Sequence, residues 1–257
     1  MQPYDKSLSY YISRGYYFAS GNELKLDLSS FDTGVVIIDD ILDKSSIRNG
    51  KPALHEEKGL EFALLEGLKQ ISNFQSQFEQ RTTDEGWKFS YLGLNTLNSL
   101  FQDVIRGEIL DKHINSIEDY FLMITLFTGN HIAKGVEVGH YMAKKFQSKN
   151  LFEACRSAGR IRQIVDDFED YQQGTHHEPF GDFMQGKNRL PELLFKGDKE
   201  KAKDLIKNKQ YKDARKYILN KDVREKMYCY CRKEFDNLLN CDYRAKEFVV
   251  NFEKILS

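Results

Sequence analysis

The sequence predicts an all-α fold, a bundle of roughly ten helices with functional groups projecting inward from facing helices. Three observations lead there. Long stretches repeat their apolar residues with a period near 3.6. Helix breakers are scarce, with only Pro3, Pro52, Pro179 and Pro191 as prolines. Short alternating runs bounded by turn dipeptides are rare, so no sheet is expected. At 257 residues the chain can bury a sizeable core, and one domain over 1–257 is expected.

The elements follow in order. VVII at 35–38 is an apolar helical run that ends in an acidic pentad, Asp39-Asp40-Ile41-Leu42-Asp43. LEFALLEGLKQISNF at 60–74 and IEDYFLMITLFTGNHIAKGVEVGHYMA at 117–143 keep the helical period. IRQIV at 161–165 is a second apolar run that ends in a second pentad, Asp166-Asp167-Phe168-Glu169-Asp170. The C-terminal third is lysine-rich and amphipathic, as in DKEKAKDLIKNKQYKDARKYI at 198–218, and reads as solvated helix faces.

Bulk composition excludes several functions. The 38 basic and 39 acidic residues nearly cancel, so no nucleic-acid surface is expected. No apolar run is long enough for a transmembrane segment. The N-terminus MQPYDKSLSYY has neither a basic nor an apolar signal region. Cysteines at 155, 229, 231 and 241 fit no zinc spacing and read as reduced thiols of a cytoplasmic protein.

The duplicated pentads carry the chemistry. Carboxylates at i and i+4 share one helix face. Asp39 and Asp43 therefore form one oxygen claw, and Asp166 and Asp170 another. Clustered carboxylates at the end of an apolar helix call for a cation. Two such helices facing each other would hold Mg²⁺, which completes its shell with phosphate oxygens. Each claw is followed by a basic loop closed by proline: Arg48-Asn49-Gly50-Lys51-Pro52 after the first, Gly186-Lys187-Asn188-Arg189-Leu190-Pro191 after the second. Carboxylates for metal, with Arg and Lys for phosphate, suit a diphosphate.

On these residues the chain resembles the trans-isoprenyl diphosphate synthases, the polyprenyl synthetase family, and terpene synthases of the same fold. The resemblance covers roughly residues 5–195. DDILDKSSIRNGKPALH resembles the first aspartate-rich motif, and RIRQIVDDFEDY the second with Gln163 ahead of it. Gly107-Glu108, Thr128-Gly129 and GKNRLP with Lys187 match further family positions. The resemblance implies a class I isoprenoid synthase bundle around a central apolar cavity. It implies Mg²⁺, three ions with substrate bound, and an allylic isoprenyl diphosphate as substrate. Asp39, Asp40, Asp43, Asp166, Asp167 and Asp170 would be catalytic, with Asp39, Asp43, Asp166 and Asp170 as metal ligands. Arg48, Thr128, Gln163 and Lys187 would bind the diphosphate, joined by Arg162 if that side chain points inward rather than to solvent. Gly34 and Val35 would line the tail pocket, and their small size admits a chain of roughly C15 to C20 or longer. A homodimer is implied by the resemblance alone.

The departures from the family pattern concern the pocket for a second diphosphate, that of isopentenyl diphosphate. The early basic motif falls on Lys6, Ser7 and Ser9, leaving one cation. A family histidine is replaced by Asp32, and the second arginine of the first motif by Asn49. The first pocket is altered less, with Phe127 and Glu178 in place of two family lysines. In the second pocket, losing several charge-assisted contacts, at roughly 1.5–3 kcal/mol each, would abolish useful affinity for isopentenyl diphosphate. The leading expectation is therefore a terpene synthase or cyclase that ionises one diphosphate. A trans-prenyltransferase, a non-catalytic subunit of a heteromeric synthase, and prenyl transfer to another acceptor are the alternatives. Without metal, the repelling carboxylates should leave both aspartate helix ends and the 172–190 loop mobile.

Overall fold

The computed structural model describes residues 7–24, 29–82, 87–171 and 180–256. The chain divides into two compact units, Met1–Leu100 with Lys134–Ser148, and Phe101–Ala133 with Lys149–Ser257.

The first unit begins with α1 (Leu8–Ser20). Ser7 caps it, its hydroxyl accepting the Tyr10 N–H at 3.1 Å. The helix stops at Gly21, whose left-handed backbone turns its N–H onto the Tyr17 carbonyl. Next comes α2 (Ser29–Leu42), which buries Phe31, Gly34 and Asp40. It packs against α4 (Leu60–Thr82), reached through the single-turn α3 (Leu54–Lys58). The Phe31 and Phe74 rings meet at 5.1 Å in this seam. Parts of α5 (Trp87–Asp111) and α7 (Asn130–Met142) complete the unit.

Between α2 and α3 the chain departs from the expectation of no sheet. Ile47–Arg48 (β1) pairs antiparallel with Lys51–Pro52 (β2). The two linking residues, Asn49 and Gly50, have φ of 52° and 74°. Asn-Gly is the residue pair such a tight hairpin favours, because both positions need the left-handed region. Two-residue strands are too short to show alternation, which is why the period gives no sign of them.

The second unit holds α6 (Ile117–Ile124), a π-helical turn Thr125–Gly129, α8 (Lys149–Glu169), α9 (Gly181–Gln185), α10 (Leu190–Leu194), α11 (Lys199–Lys207), α12 (Tyr211–Ile218) and α13 (Lys221–Cys241). The start of α6 is fixed by a capping box: the Ser116 hydroxyl accepts the Asp119 N–H, and the Asp119 carboxylate accepts the Ser116 N–H. The core is built by α8 on α13. Val223, Met227, Cys231, Glu234 and Leu238 form one buried stripe on α13. From α8, Ile161, Ile164, Val165 and Phe168 enter the same core. Each such fully buried side chain contributes about 1.5–3 kcal/mol relative to exposure. Glu234 is tolerable there because Arg160 Nη2 donates to it at 2.7 Å.

The all-α expectation holds. Thirteen α-helices occur among the described residues rather than ten. The surplus is explained by α3, α9 and α10, five-residue turns below what a helical period can register. The lysine-rich third folds into α11 and α12, which bury Ala202, Ile206, Ala214 and Ile218. All four cysteines are free, and among the described residues no helix is long and apolar enough to cross a membrane.

Candidate active site

The first pentad closes α2. The Asp43 N–H bonds the Asp39 carbonyl at 2.9 Å, so the i, i+4 relation between these two residues is intact although the helix ends at Leu42. Asp40 is only 4 % exposed. Its neutralising partner is Arg48, delivered by the hairpin: Nε donates to Asp40 at 2.8 Å, and Nη2 reaches both Asp40 and Asp39. Arg48, expected to hold substrate diphosphate, is thus held by the pentad it follows. Asn49 sits at the turn of the same hairpin, which gives its identity a conformational reason as well as the loss of a cation.

Gly34 and Val35 lie one turn earlier. Gly34 is buried against α4, and a Cβ there would stand 2.7 Å from the Gly67 carbonyl oxygen. Close helix packing therefore demands the glycine. Val35 is half-buried. Asp32, one turn further back, accepts the Leu8 N–H with both oxygens, at 2.9 and 3.0 Å. It satisfies an open donor at the start of α1, and burial raises its carboxyl to about 7 despite that hydrogen bond.

The second pentad closes α8. Asp167 is 1 % exposed and fully engaged. The Tyr120 hydroxyl donates to its Oδ2 at 2.6 Å, and Gln163 Nε2 to its Oδ1 at 2.9 Å. Thr128 in turn donates to Gln163 Oε1 at 2.6 Å. Thr128, Gln163 and Asp167 are thus brought together as one hydrogen-bonded row. Thr128 belongs to the π-helical turn, a local widening often found at functional sites. That turn lies close on α8 because Gly159 has no side chain. A Cβ on Gly159 would stand 2.6 Å from Gly129 Cα and from the Thr128 oxygen. Phe127, where the family has lysine, packs on Gly107 instead. Glu108 is half-buried.

A charged group stands behind this row. Arg189 Nε donates to Asp182 at 2.7 Å, and its Nη1 pairs with Asp111. Lys187 Nζ lies 3.4 Å from Asp182 and 3.8 Å from Asp111. Arg189 and Lys187 together hold the Asp182 carboxyl below its ordinary range, despite burial. Burial raises the Asp167 carboxyl to about 6, while Arg189, Tyr120 and Gln163 pull it back. Asp170 is raised to about 7 by burial and by its neighbours Asp167, Asp182 and Asp166. Arg162, left open between inward and outward, is 4 % exposed and therefore inward. With burial, its charge lowers His131 to about 4.

Tyr120, Asp111 and Asp182 have no role in the reading of the sequence, and Arg189 has only its place in the basic loop after the second claw. Arg189 is the second cation of GKNRLP, which was a usable signal, and Asp182 lies four residues before that run. Asp111 ends the Gly107-Glu108 segment. Nothing local marks Tyr120. Glu178, the segment 172–179, Lys6 and the residues before it lie outside the described residues.

These donors suit a hard divalent cation. Burial, with the negative charge of Asp167, Asp182 and Asp166, pushes Asp170 toward neutrality, a cost that a bound cation removes. Among the described residues no three His, Cys, Asp or Glu side chains are already gathered around one metal position. Mg²⁺ asks for less, since it commonly takes one or two carboxylates, several waters and substrate phosphates.

Comparison with known proteins agrees with this chemistry. Residues 22–226 match the polyprenyl synthetase family. The chain is 26 % identical over 156 residues to solanesyl diphosphate synthase 2, chloroplastic, of Arabidopsis thaliana, covering 56 % of this chain and 34 % of that protein. It is 28 % identical over 141 residues to a short chain isoprenyl diphosphate synthase of Methanocaldococcus jannaschii, covering 52 % and 42 %. The matches thus span well under half of either relative. Among solved structures, a polyprenyl synthetase from Streptomyces coelicolor superposes with a TM-score of 0.76 at 14 % identity, over 97 % of this chain and 84 % of that one. A geranylgeranyl pyrophosphate synthase from Corynebacterium glutamicum, complexed with isoprenyl diphosphate and magnesium, gives 0.75 at 18 %, over 97 % and 82 %. The family match spans most of the sequence and includes both pentads, and the fold is the same: the chain belongs to the polyprenyl synthetase family.

Proposed function

We propose that the protein is a Mg²⁺-dependent trans-prenyltransferase that elongates an allylic isoprenyl diphosphate with isopentenyl diphosphate. The observation that carries the reading is the family match over 22–226, with both aspartate pentads inside it. The curated relatives are both named as prenyl diphosphate synthases, which moves condensation ahead of the cyclisation favoured by the sequence alone. Asp39, Asp43, Asp166 and Asp170 are the proposed metal ligands. When bound, Mg²⁺ would supply the positive charge that stabilises the departing diphosphate. Around it the chain's own groups have distinct tasks. Tyr120 and Gln163 fix the Asp167 carboxylate, and through it the end of α8. Thr128 fixes the Gln163 amide, so that its orientation is preset. Arg48 places a cation beside the first pentad, and Lys187 one beside Asp182, for phosphate oxygens.

A second reading, ionisation without condensation, rests on Asp32. Its carboxylate is used to cap α1, at the position where the resemblance places a histidine for the second diphosphate. Incubation with Mg²⁺ and geranyl, farnesyl or geranylgeranyl diphosphate, with and without isopentenyl diphosphate, decides between the two. Longer diphosphates formed only with isopentenyl diphosphate establish the prenyltransferase. A diphosphate-free hydrocarbon or alcohol formed without it establishes the terpene synthase. No product under any condition, with diphosphate never released, returns the chain to a non-catalytic subunit.

A further inference from the structure

The second unit carries a concentration of positive charge that the pentads do not use. The corner between α12 and α13 encloses about 480 Å³. Its cations are Lys212, Arg215, Lys216, Lys221 and Arg224, and no acidic residue lines it. The floor is apolar, formed by Phe168 and Leu219. Phe168 is the central residue of the second pentad, and the Arg215 guanidinium lies 5.8 Å from its ring centre.

Four features set this corner apart from a solvated lysine face. It is concave rather than spread along a helix. Among the described residues Lys212, Lys216 and Arg224 have no ion-pair partner, unlike Lys203 with Glu200 and Lys226 with Asp222, while Lys221 at the rim pairs with Glu225 at 3.7 Å. Arg224 Nε is shut away from solvent without an acceptor, a donor left costly until an oxygen meets it. The corner also faces the start of α13, a 21-residue helix. The Asn220 side chain there accepts the Val223 N–H, at 3.2 Å, and the positive end of the helix adds to the field. Guanidinium and ammonium groups that line one pocket repel one another until an anion joins them. Several oxygens carrying several charges satisfy that geometry best, which describes phosphate chemistry.

We propose that this corner is a binding site for a phosphate-bearing anion, backing onto α8 through Phe168. The inference does not depend on the reaction the pentads perform. The anion can come as a free diphosphate or as a lipid headgroup, and the test separates these sources. Calorimetric titration of the full chain with inorganic diphosphate, in EDTA so that no metal serves the pentads, is expected to show binding. Replacing two pocket residues together, Lys216→Gln with Arg224→Gln, is expected to weaken it about tenfold or more. Asp166→Ala is expected to leave it unchanged, as is the charge-matched pair Lys203→Gln with Lys207→Gln on α11. Circular dichroism checks that the pocket variant is folded. If diphosphate does not bind but phosphatidylglycerol vesicles, and not phosphatidylcholine vesicles, retain the wild type and release the pocket variant, the site stands and its anion is a headgroup. Binding equal in wild type and pocket variant, an equal loss in the α11 pair, or no binding of either probe overturns the proposal.

Discussion

At the scale of single residues, most of the tension in this protein lies in buried carboxyl groups. Glu192 on α10 is the plainest case, 3 % exposed, with the Tyr171 hydroxyl donating to one of its oxygens. Burial is the main cause that raises its carboxyl from 4.5 to about 8. A folded-state pKa above the unfolded one means that folding favours the protonated form. The stability this provides is fully present below about 4.5 and is lost as pH rises through about 8. Asp32, raised to about 7, acts in the same direction. The melting temperature of the metal-free protein should therefore fall between about pH 5 and pH 9, and Glu192→Gln should flatten the upper part of that fall. A variant whose melting profile matches wild type across the range would exclude Glu192 as the titrating group. For activity, the residue prediction is sharper. Asp39→Ala and Asp166→Ala should each reduce diphosphate release by about a hundredfold or more, since metal charge at the leaving group supplies several kcal/mol. Near-wild-type release from either variant removes that residue from the proposed metal site.

Whole elements show why the sequence revealed some of this and concealed the rest. α2 and α8 were legible because an apolar run with helical period ends abruptly in carboxylates, and the structure ends both helices at their pentads. The inward side of α8 was legible only in part. Gln163 and Thr128 stand 35 residues apart and meet through the π-helical turn, a local geometry that no spacing rule encodes. Tyr120 and Asp167 are 47 residues apart and share one hydrogen bond. The ion group of Asp111, Asp182, Lys187 and Arg189 likewise needs α5 and α9 brought together, which is a property of packing. Gly34 has a further reason that only packing reveals. Its small size read as room for a substrate tail, while the fold uses it to let α4 approach. Glycine at that seam and at Gly159 gives the element-scale prediction. Gly159→Val would place carbon within 2.6 Å of backbone atoms on the π-helical turn. It should cost about 1–3 kcal/mol or more in urea unfolding, and it should also disturb the Thr128–Gln163 contact. A fully stable Gly159→Val variant would show that the turn can move away from α8.

For the molecule as a whole, the question is what covers an unusual amount of apolar surface. On α4, Leu60, Leu64, Leu65 and Leu68 are 57, 43, 67 and 47 % exposed, with Phe62 at 51 %. Leu60, Leu64 and Leu68 repeat every fourth residue and so form one stripe along the helix. Scattered exposed leucines need no explanation, but a contiguous stripe on one helix is the kind of surface that a partner covers. The homodimer implied by the family resemblance is the partner we propose for it, with α4 meeting its counterpart in a second copy through the same patch. Light scattering on the eluted protein should then report about twice the 30.1 kDa chain mass. Leu64→Glu with Leu68→Glu, at positions already facing water in the single chain, should shift that mass to the monomer while the helical circular dichroism persists. Dimer stability should also couple to concentration, so that the melting temperature of wild type, but not of the double variant, rises as the protein is concentrated. A wild-type chain that elutes as a monomer at every concentration would leave α4 without the proposed partner. A double variant that stays dimeric would place the interface on another surface.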